Sequence, residues 1–440
     1  MAQEIYHRTD WGYASNEWGS VYVNAELSNE LYKRAANYEN SWGSDQTLNA
    51  INKKASIILL PTAYEKDTIH NVKPSSAPFG DMTLIQAGTT TRVNESGLVA
   101  SNTTDIPRID YSKGEGAILS ELATTNQIRY SEDFSNVLWL KTAVTLTSST
   151  GTNPRGESAT IYAIQGAPSQ GGLEAAMASG ASGNGVGASI WARKKSGIGT
   201  ADVLIGGGSL GNPTTVTRTV GANWQRITFT STGYTGTSHF FVKPVSILAA
   251  DTIEIWGAQM EKTAAGGQAG RVSSYVPTTS ASVTRARDNY LNGGDTTLIG
   301  AQEGVFYIEA ATFANIGSKA IALSAANSAA NRVVIFYSNT SNTIQGRVQA
   351  STSTTIAING TVTDNTDFNK IAFKYKSGDL ALWINGTEVA TSSTAFTFNA
   401  ALSELAFDQG NGTLHMDGFV KSVAVFKEVL TDAELAALTS

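Results

Sequence analysis

Leu380-Ala-Leu-Trp-Ile-Asn-Gly-Thr-Glu-Val-Ala390 decides the fold class. Two runs of strand-forming residues flank Asn385-Gly386, the dipeptide best suited to the positive φ angles of a two-residue hairpin turn. The rest of the C-terminal third has the same texture. Val305-Phe-Tyr-Ile-Glu-Ala310, Arg332-Val-Val-Ile-Phe-Tyr337 and Lys370-Ile-Ala-Phe-Lys-Tyr375 are further strand candidates. The chain then changes period. In Leu430-Thr-Asp-Ala-Glu-Leu-Ala-Ala-Leu438, Thr431 followed three residues later by Glu434 forms a capping box, predicting a short terminal helix.

Outward toward the N-terminus, residues 126 to 290 alternate in the same way. Gly187-Ala-Ser-Ile-Trp-Ala-Arg193 puts Ala188, Ile190 and Ala192 on one strand face and Ser189, Trp191 and Arg193 on the other. Trp224-Gln-Arg-Ile-Thr-Phe-Thr230 and Thr252-Ile-Glu-Ile-Trp256 carry strand chemistry too. Short β runs punctuated by Gly, Asn and Pro suggest antiparallel sandwiches rather than βαβ units. Residues 1 to 75 differ. Asn24 as N-cap with Leu27, Leu31 and Tyr38 at helical spacing predicts one amphipathic helix, preceded by Trp-Gly pairs at Trp11 and Trp18. Ala55-Ser-Ile-Ile-Leu-Leu60 reads as a strand ended by Pro61.

A length of 440 residues exceeds what one core usually organises, which predicts two to four domains. Only 15% of residues are charged, well below the roughly 25% of an average soluble protein. Ser, Thr, Asn and Gly take their place, a surface that packs in assemblies without desolvating many charges. The net charge of −6 and the lack of any basic run longer than Arg193-Lys-Lys195 argue against a nucleic-acid partner. The absence of cysteine removes disulfides, thiolate metal sites and cysteine nucleophiles. The first ten residues lack a secretory pattern, and no apolar run approaches the ~20 residues of a membrane span. The expectation is therefore no signal peptide and no membrane partner.

Several phrases resemble bacteriophage virion proteins. Thr91-Arg-Val-Asn-Glu-Ser-Gly-Leu98 and Ile106-Pro-Arg-Ile-Asp-Tyr111 resemble a connector that precedes the first sandwich of many phage tail and virion proteins. Tyr130-Ser-Glu-Asp-Phe-Ser-Asn136 with Trp139 is similar to the opening of their carbohydrate-binding-like jelly-roll module. Ile255-Trp-Gly-Ala-Gln-Met-Glu261, Ser274-Tyr-Val-Pro-Thr278 and Val283-Thr-Arg285 are similar to its close. The C-terminal strands, the hairpin and Gly418 to Thr439 resemble a concanavalin or laminin-G-like lectin sandwich.

The resemblance implies a mainly β chain of two antiparallel β-sandwiches, jelly-roll and concanavalin-like, after a small mixed α/β N-terminal attachment region, with a short C-terminal helix. The implied divisions are 1–75 for attachment, 76–125 for a β connector, 126–290 for the jelly roll and 291–440 for the lectin-like module. It further implies a virion structural protein (tail fibre, head fibre or decoration) assembled in the host cytoplasm. Its partners would be capsid, portal or tail proteins and host-surface polysaccharide, and it would be a homo-oligomer, a trimer by analogy with fibres. Such sandwiches sometimes bind calcium. Asp408 and Asp417 are the nearest carboxylates here, but no ligand motif frames them and no cofactor is expected.

Catalysis finds no footing in the residue pattern. Glycan hydrolysis needs paired carboxylates about 5 to 10 Å apart, and the seven-residue spacing of Glu254 and Glu261 would set them on opposite faces of a regular strand. His7, His70, His239 and His415 show no metal or triad spacing. The runs Gly206-Gly-Gly208 and Gly180 to Gly187 lack the Lys-Ser/Thr of a phosphate loop and read as loops or bulges. Binding is easier to accommodate, because sugars stack apolar faces on aromatic rings flanked by polar groups. The glycan-binding candidates are Trp191, Arg193, Trp256, Trp383 and Asn385, with Trp191 the most exposed by its polar face. Trp11, Trp18, Tyr22, Leu27 and Leu31 are the candidates for virion attachment, since aromatics anchor interfaces. Two other readings stay open: a purely architectural capsid or tail component, and a glycan depolymerase.

Overall fold

The computed structural model describes residues 4–7, 21–22, 46–74, 80–166, 171–177, 184–195, 200–208, 214–231, 239–245, 252–265, 271–325, 328–351 and 355–440. Among them the chain is mainly β, in antiparallel sheets, with two short helices at Gln46–Lys54 and Asp432–Thr439. It divides into two compact units. The first gathers residues 1–87, 103–122 and 287–440; the second holds 88–102 and 123–286.

In the first unit a 13-stranded sheet faces a five-stranded one. The large sheet places Ile57–Glu65 beside Gly418–Phe426, which pairs in turn with Glu303–Thr312, Asn369–Lys376, Leu380–Ile384 and Thr387–Ser392. The smaller sheet runs Thr355–Thr361, Thr343–Gln349, Arg332–Tyr337, Lys319–Ser324, Glu404–Ala406. Alternation fills the space between them. Ile308, Phe306, Ile371 and Phe373 from one sheet meet Ile321, Val333, Ile335 and Val348 from the other. The opposite face of the large sheet is also apolar, and both helices cover it: Ile51, Leu435 and Leu438 pack on Val305, Tyr307, Ala372 and Trp383. The terminal helix begins as its sequence predicts, with the Thr431 hydroxyl accepting from Glu434 N and the Glu434 carboxylate accepting from Thr431 N. The Asn385-Gly386 turn has the two positive φ angles, 49° and 83°, that its residues favour.

The second unit is a sandwich of two five-stranded sheets. One runs Trp139–Thr142, Gly172–Ala176, His239–Val245, Ala201–Gly208, Thr214–Val220. The other runs Val144–Thr152, Ser158–Gly166, Ile253–Ala265, Asn184–Lys194, Gln225–Ser231. Ala188, Ile190 and Ala192 face the core with Ile255, Val203, Val242 and Phe240.

Several sequence expectations change here. The strand expected to stop before Pro61 runs through it, as Ile57–Glu65, because its register with Thr68–Lys73 breaks between Leu59 and Tyr64 and no ladder bond is asked of the missing N–H. Gly206-Gly-Gly208 ends a strand rather than forming a loop, paired with Phe240, Phe241 and His239. The two compact units are each built from segments that are discontinuous in the chain. Ile57–Glu65 and Ala117–Ser120 pair with Gly418–Phe426, so most of the described N-terminal and connector strands belong to the sheet of the C-terminal sandwich.

Within the first unit the chain is pinned where it leaves and returns. Gln86 and Asp105 exchange backbone and carboxylate hydrogen bonds of 2.7 to 3.0 Å. Glu121 and Asp288 do the same at 2.8 and 2.9 Å. Between the last two carboxylates sits Arg108, fully buried, donating to Glu121 Oε2 at 2.6 Å and to Asp288. Burial opposes its charge, yet Asp288 and Glu121 overcome that and hold its pKa above the ordinary guanidinium value. This pairing with two buried acids accounts for the arginine of Ile106-Pro-Arg-Ile-Asp-Tyr111.

Candidate functional site

The outer face of the Asn184–Lys194 sheet carries the aromatic residues singled out from sequence. Trp191, Arg193 and Ser189 do share the face opposite the core. The neighbouring strand is irregular: Gly257 has φ +64° and the register with Asn184–Lys194 shifts beside it. This bulge moves the alternation by one residue. Trp256, Gln259 and Glu261 all join Glu254 on the outer face, while Ile255, Ala258 and Met260 enter the core. Glu254 and Glu261 therefore share a face, contrary to the expectation from their odd spacing of seven in a regular strand. Seven residues of strand still separate them by about 20 Å, well outside the span of a hydrolytic carboxylate pair. Each is also engaged: Arg193 Nε donates to Glu254 Oε2 at 2.6 Å, and Ser273 N donates to Glu261 Oε2 at 2.8 Å.

Trp191 is not the open platform its face suggested. It is 7% exposed and Trp256 1%. With Tyr275 they form a cluster whose ring centroids lie 5.0 to 5.4 Å apart, tilted or edge-on, packed with Val99 and Ile161. Arg226 lies over Trp191 at 4.7 Å while donating to Ser189 Oγ at 3.0 Å and Ser273 O at 2.8 Å. Arg155 covers Trp256 at 5.5 Å. The segment that brings Ser273 and Tyr275 comes so close that a Cβ on Gly187 would meet Arg271 O at 1.6 Å. The rings are a second, outer core.

At the margin of that cluster lies Trp224, half-buried just ahead of Gln225–Ser231. Its Nε1 donates to Thr152 O at 2.9 Å, which fixes the indole plane. The Arg193 guanidinium stacks on it at 4.4 Å, and Glu254, which holds Arg193, also faces Lys195 Nζ at 3.8 Å. A half-buried indole fixed in place, with Arg193 over its ring and the partly exposed Lys195 ammonium close by, offers ring contact and a hydrogen-bond donor to a hydroxylated ligand. From sequence, Trp224 is one of four strand tryptophans that could serve as a sugar platform, but it is not among the chosen candidates. The available signal was its position just before a strand whose neighbour carries Arg193.

The remaining candidates do not join this site. Trp383, 8% exposed, lies on the helix-covered face of the large sheet of the first unit, packed with Leu435 and Leu438. Asn385 is in the hairpin turn, its Oδ1 accepting from Lys370 N and its Nδ2 donating to Asn369 Oδ1, both at 2.9 Å. That is structural work. Tyr22 belongs to a two-residue strand, Val21–Tyr22, paired with Glu4 and Ile5. Trp11, Trp18, Leu27 and Leu31, and the helix expected after Asn24, lie outside the described residues. Asp408 Oδ1 accepts from Gly410 N at 2.5 Å and Asp417 Oδ1 from Leu122 N at 3.2 Å. Among the described residues no three His, Asp or Glu side chains are grouped to hold a metal ion, and no helix is long and apolar enough to cross a membrane.

Residues 311–436 of the first unit match the family described as the concanavalin A-like lectin/glucanase superfamily, so this sandwich is lectin-like in fold. No curated protein matches the chain. Among solved structures, it is similar to the CBM40 of the Ruminococcus gnavus IT-sialidase bound to α2,3-sialyllactose, at 18% identity over 33% of this chain and 85% of that one, TM-score 0.29. A second is domain 4 of the extracellular arabinanase AbnA from Geobacillus stearothermophilus, in complex with arabinotriose, at 10% identity over 39% and 82%, TM-score 0.29. A third is the heptameric SAP-like pentraxin of Limulus polyphemus, at 13% identity over 32% and 70%, TM-score 0.26.

Proposed function

We propose that the chain is a non-catalytic glycan-binding protein that presents two β-sandwich units to a host-surface polysaccharide. The observation that carries this reading is the Trp224 ledge, an indole held in place beside Arg193, Glu254 and Lys195. The lectin-like fold of residues 311–436 supports it. The order of the phage-like phrases along the chain supports placing it in a virion, as a fibre or decoration component docked on capsid, portal or tail proteins through its N-terminal segment. Copies arranged as a trimer would turn weak single-site contacts into avidity. The non-catalytic part rests on the outer-face carboxylates, which are ion-paired or hydrogen-bonded and far apart.

Replacing Trp224 tests the ledge with the full chain. Trp224→Ala removes the stacking surface while leaving the buried Trp191, Trp256 and Tyr275 in place. We expect retention on immobilised host polysaccharide to fall by about tenfold or more, from the loss of roughly 1–3 kcal/mol of ring contact, with little change in melting temperature. Unchanged retention would remove the ledge from the account.

A further inference from the structure

The outer face of the five-stranded sheet in the first unit carries two arginines that the fold does not explain. Arg332 and Arg347 are on adjacent strands, Arg332–Tyr337 and Thr343–Gln349, where Arg332 pairs with Gln349 and Val334 with Arg347. Val333, Ile335 and Val348 point to the core, so both arginines point away from it. Diagonal neighbours of this kind lie within reach of one another.

The two are held differently. Arg332 is buried and spent: Nη1 donates to Gln409 O at 2.9 Å and Nη2 to Gln349 Oε1 at 2.7 Å. Arg347 is half-buried, flat against Phe336 with its guanidinium carbon 3.4 Å from the ring centroid, and Nε donates to Gln345 Oε1 at 2.6 Å. Among the described residues its two terminal nitrogens have no hydrogen-bond partner, and neither arginine has a carboxylate within ion-pair distance. The nearby acids are engaged: Asp408 with Gly410 N and near His415, Glu404 with Asn292 N.

The glutamines sharpen the pattern. A guanidinium can only donate, so each must turn its amide oxygen to its arginine. Their NH2 groups are then left facing away, with no partner among the described residues. Two amide donors and the free edge of Arg347 share one sheet face. Ala357, opposite Arg347, and Asn359, opposite Gln345, are exposed and leave the approach open. Burial and the charge of Arg332 together push the Arg347 pKa down to about 10. The cation is thus still protonated at neutral pH, and its charge is uncompensated.

We propose that this face is a binding site for an acidic saccharide, with the Arg347 guanidinium edge taking the oxyanion and the amides of Gln345 and Gln349 taking adjacent sugar oxygens. A planar carboxylate matches the fork of a guanidinium in two parallel hydrogen bonds, which favours a uronic or similar carboxylated sugar over a sulfate ester. Phe336 and Gln345 pre-set the arginine, so little side-chain entropy is lost on binding. The inference rests on the glycan-binding reading above but concerns a different unit and a different ligand charge.

The test uses the full chain as wild type, R347Q, R347K and W224A, measured by biolayer interferometry on immobilised polygalacturonate, dextran sulfate and neutral dextran. Wild type is expected to bind polygalacturonate more tightly than neutral dextran. R347Q should lose about tenfold or more of that affinity, as expected for one charge-assisted pair, with R347K intermediate and W224A retaining the acidic preference. Dextran sulfate binding as tight as polygalacturonate, and equally lost in R347Q, would keep the oxyanion site but assign it to sulfate. If R347Q binds polygalacturonate as wild type does, with the same melting temperature, the site is overturned while neutral-glycan binding keeps the broader reading. Failure of wild type on every glycan overturns both.

Discussion

At the residue scale, the chain separates aromatic rings that build from rings that can bind. The sequence sets Trp191 with Ser189 and Arg193 on the face opposite Ala188, Ile190 and Ala192, and the structure has it there, because strand alternation in Gly187 to Arg193 is local and legible. Its burial was not legible, because the covering groups, Tyr275, Arg226 and Val99, come from other parts of the chain. The bulge at Gly257 hid the true facing of Glu261 for the same reason: one left-handed residue inverts every later position, and glycine alone does not announce it. Trp191→Ala should therefore act on stability. We expect a loss of about 3–5 kcal/mol, as for other buried tryptophans, seen as a lower denaturant midpoint for the second unit. A variant that kept its midpoint but lost glycan retention would return Trp191 to the role first expected of it.

Elements defined by short-range chemistry were the most legible. The Asn385-Gly386 hairpin and the Thr431–Glu434 capping box occur where their residues predict, since a turn or a cap needs only its own few residues. Pro61 and Gly206-Gly-Gly208 were misread because residues that normally break strands are tolerated where pairing is irregular or a partner strand holds them in place. The terminal helix covers Trp383 through Leu435 and Leu438. Thr431→Ala should cost about 1 kcal/mol through loss of the cap, read as a reduced melting temperature of the first unit with glycan retention unchanged. No change in melting temperature would mean that tertiary packing alone sets the helix.

For the whole molecule, antiparallel sandwiches are legible in the strand alternation and their number comes from the resemblance, but which distant strands complete each sheet is not legible. Linear reading assigns strands to neighbours in sequence, whereas Gly418–Phe426 completes its sheet with Ile57–Glu65 and Ala117–Ser120, from more than 290 residues away. A fragment spanning residues 300–440 would keep every residue of the lectin-like match yet expose the edge that Ile57–Glu65 covers. It should aggregate or fail to melt cooperatively by circular dichroism, and a monomeric, cooperatively melting fragment would contradict the assignment. For this reason binding belongs to the full chain. The most direct measurement is a multivalent array of host-surface polysaccharides probed with the intact protein, followed by assay of released reducing ends. Retention on some of these glycans with no release above buffer is expected of a non-catalytic glycan-binding protein; absence of retention on all of them, or steady release of reducing ends, would contradict that function.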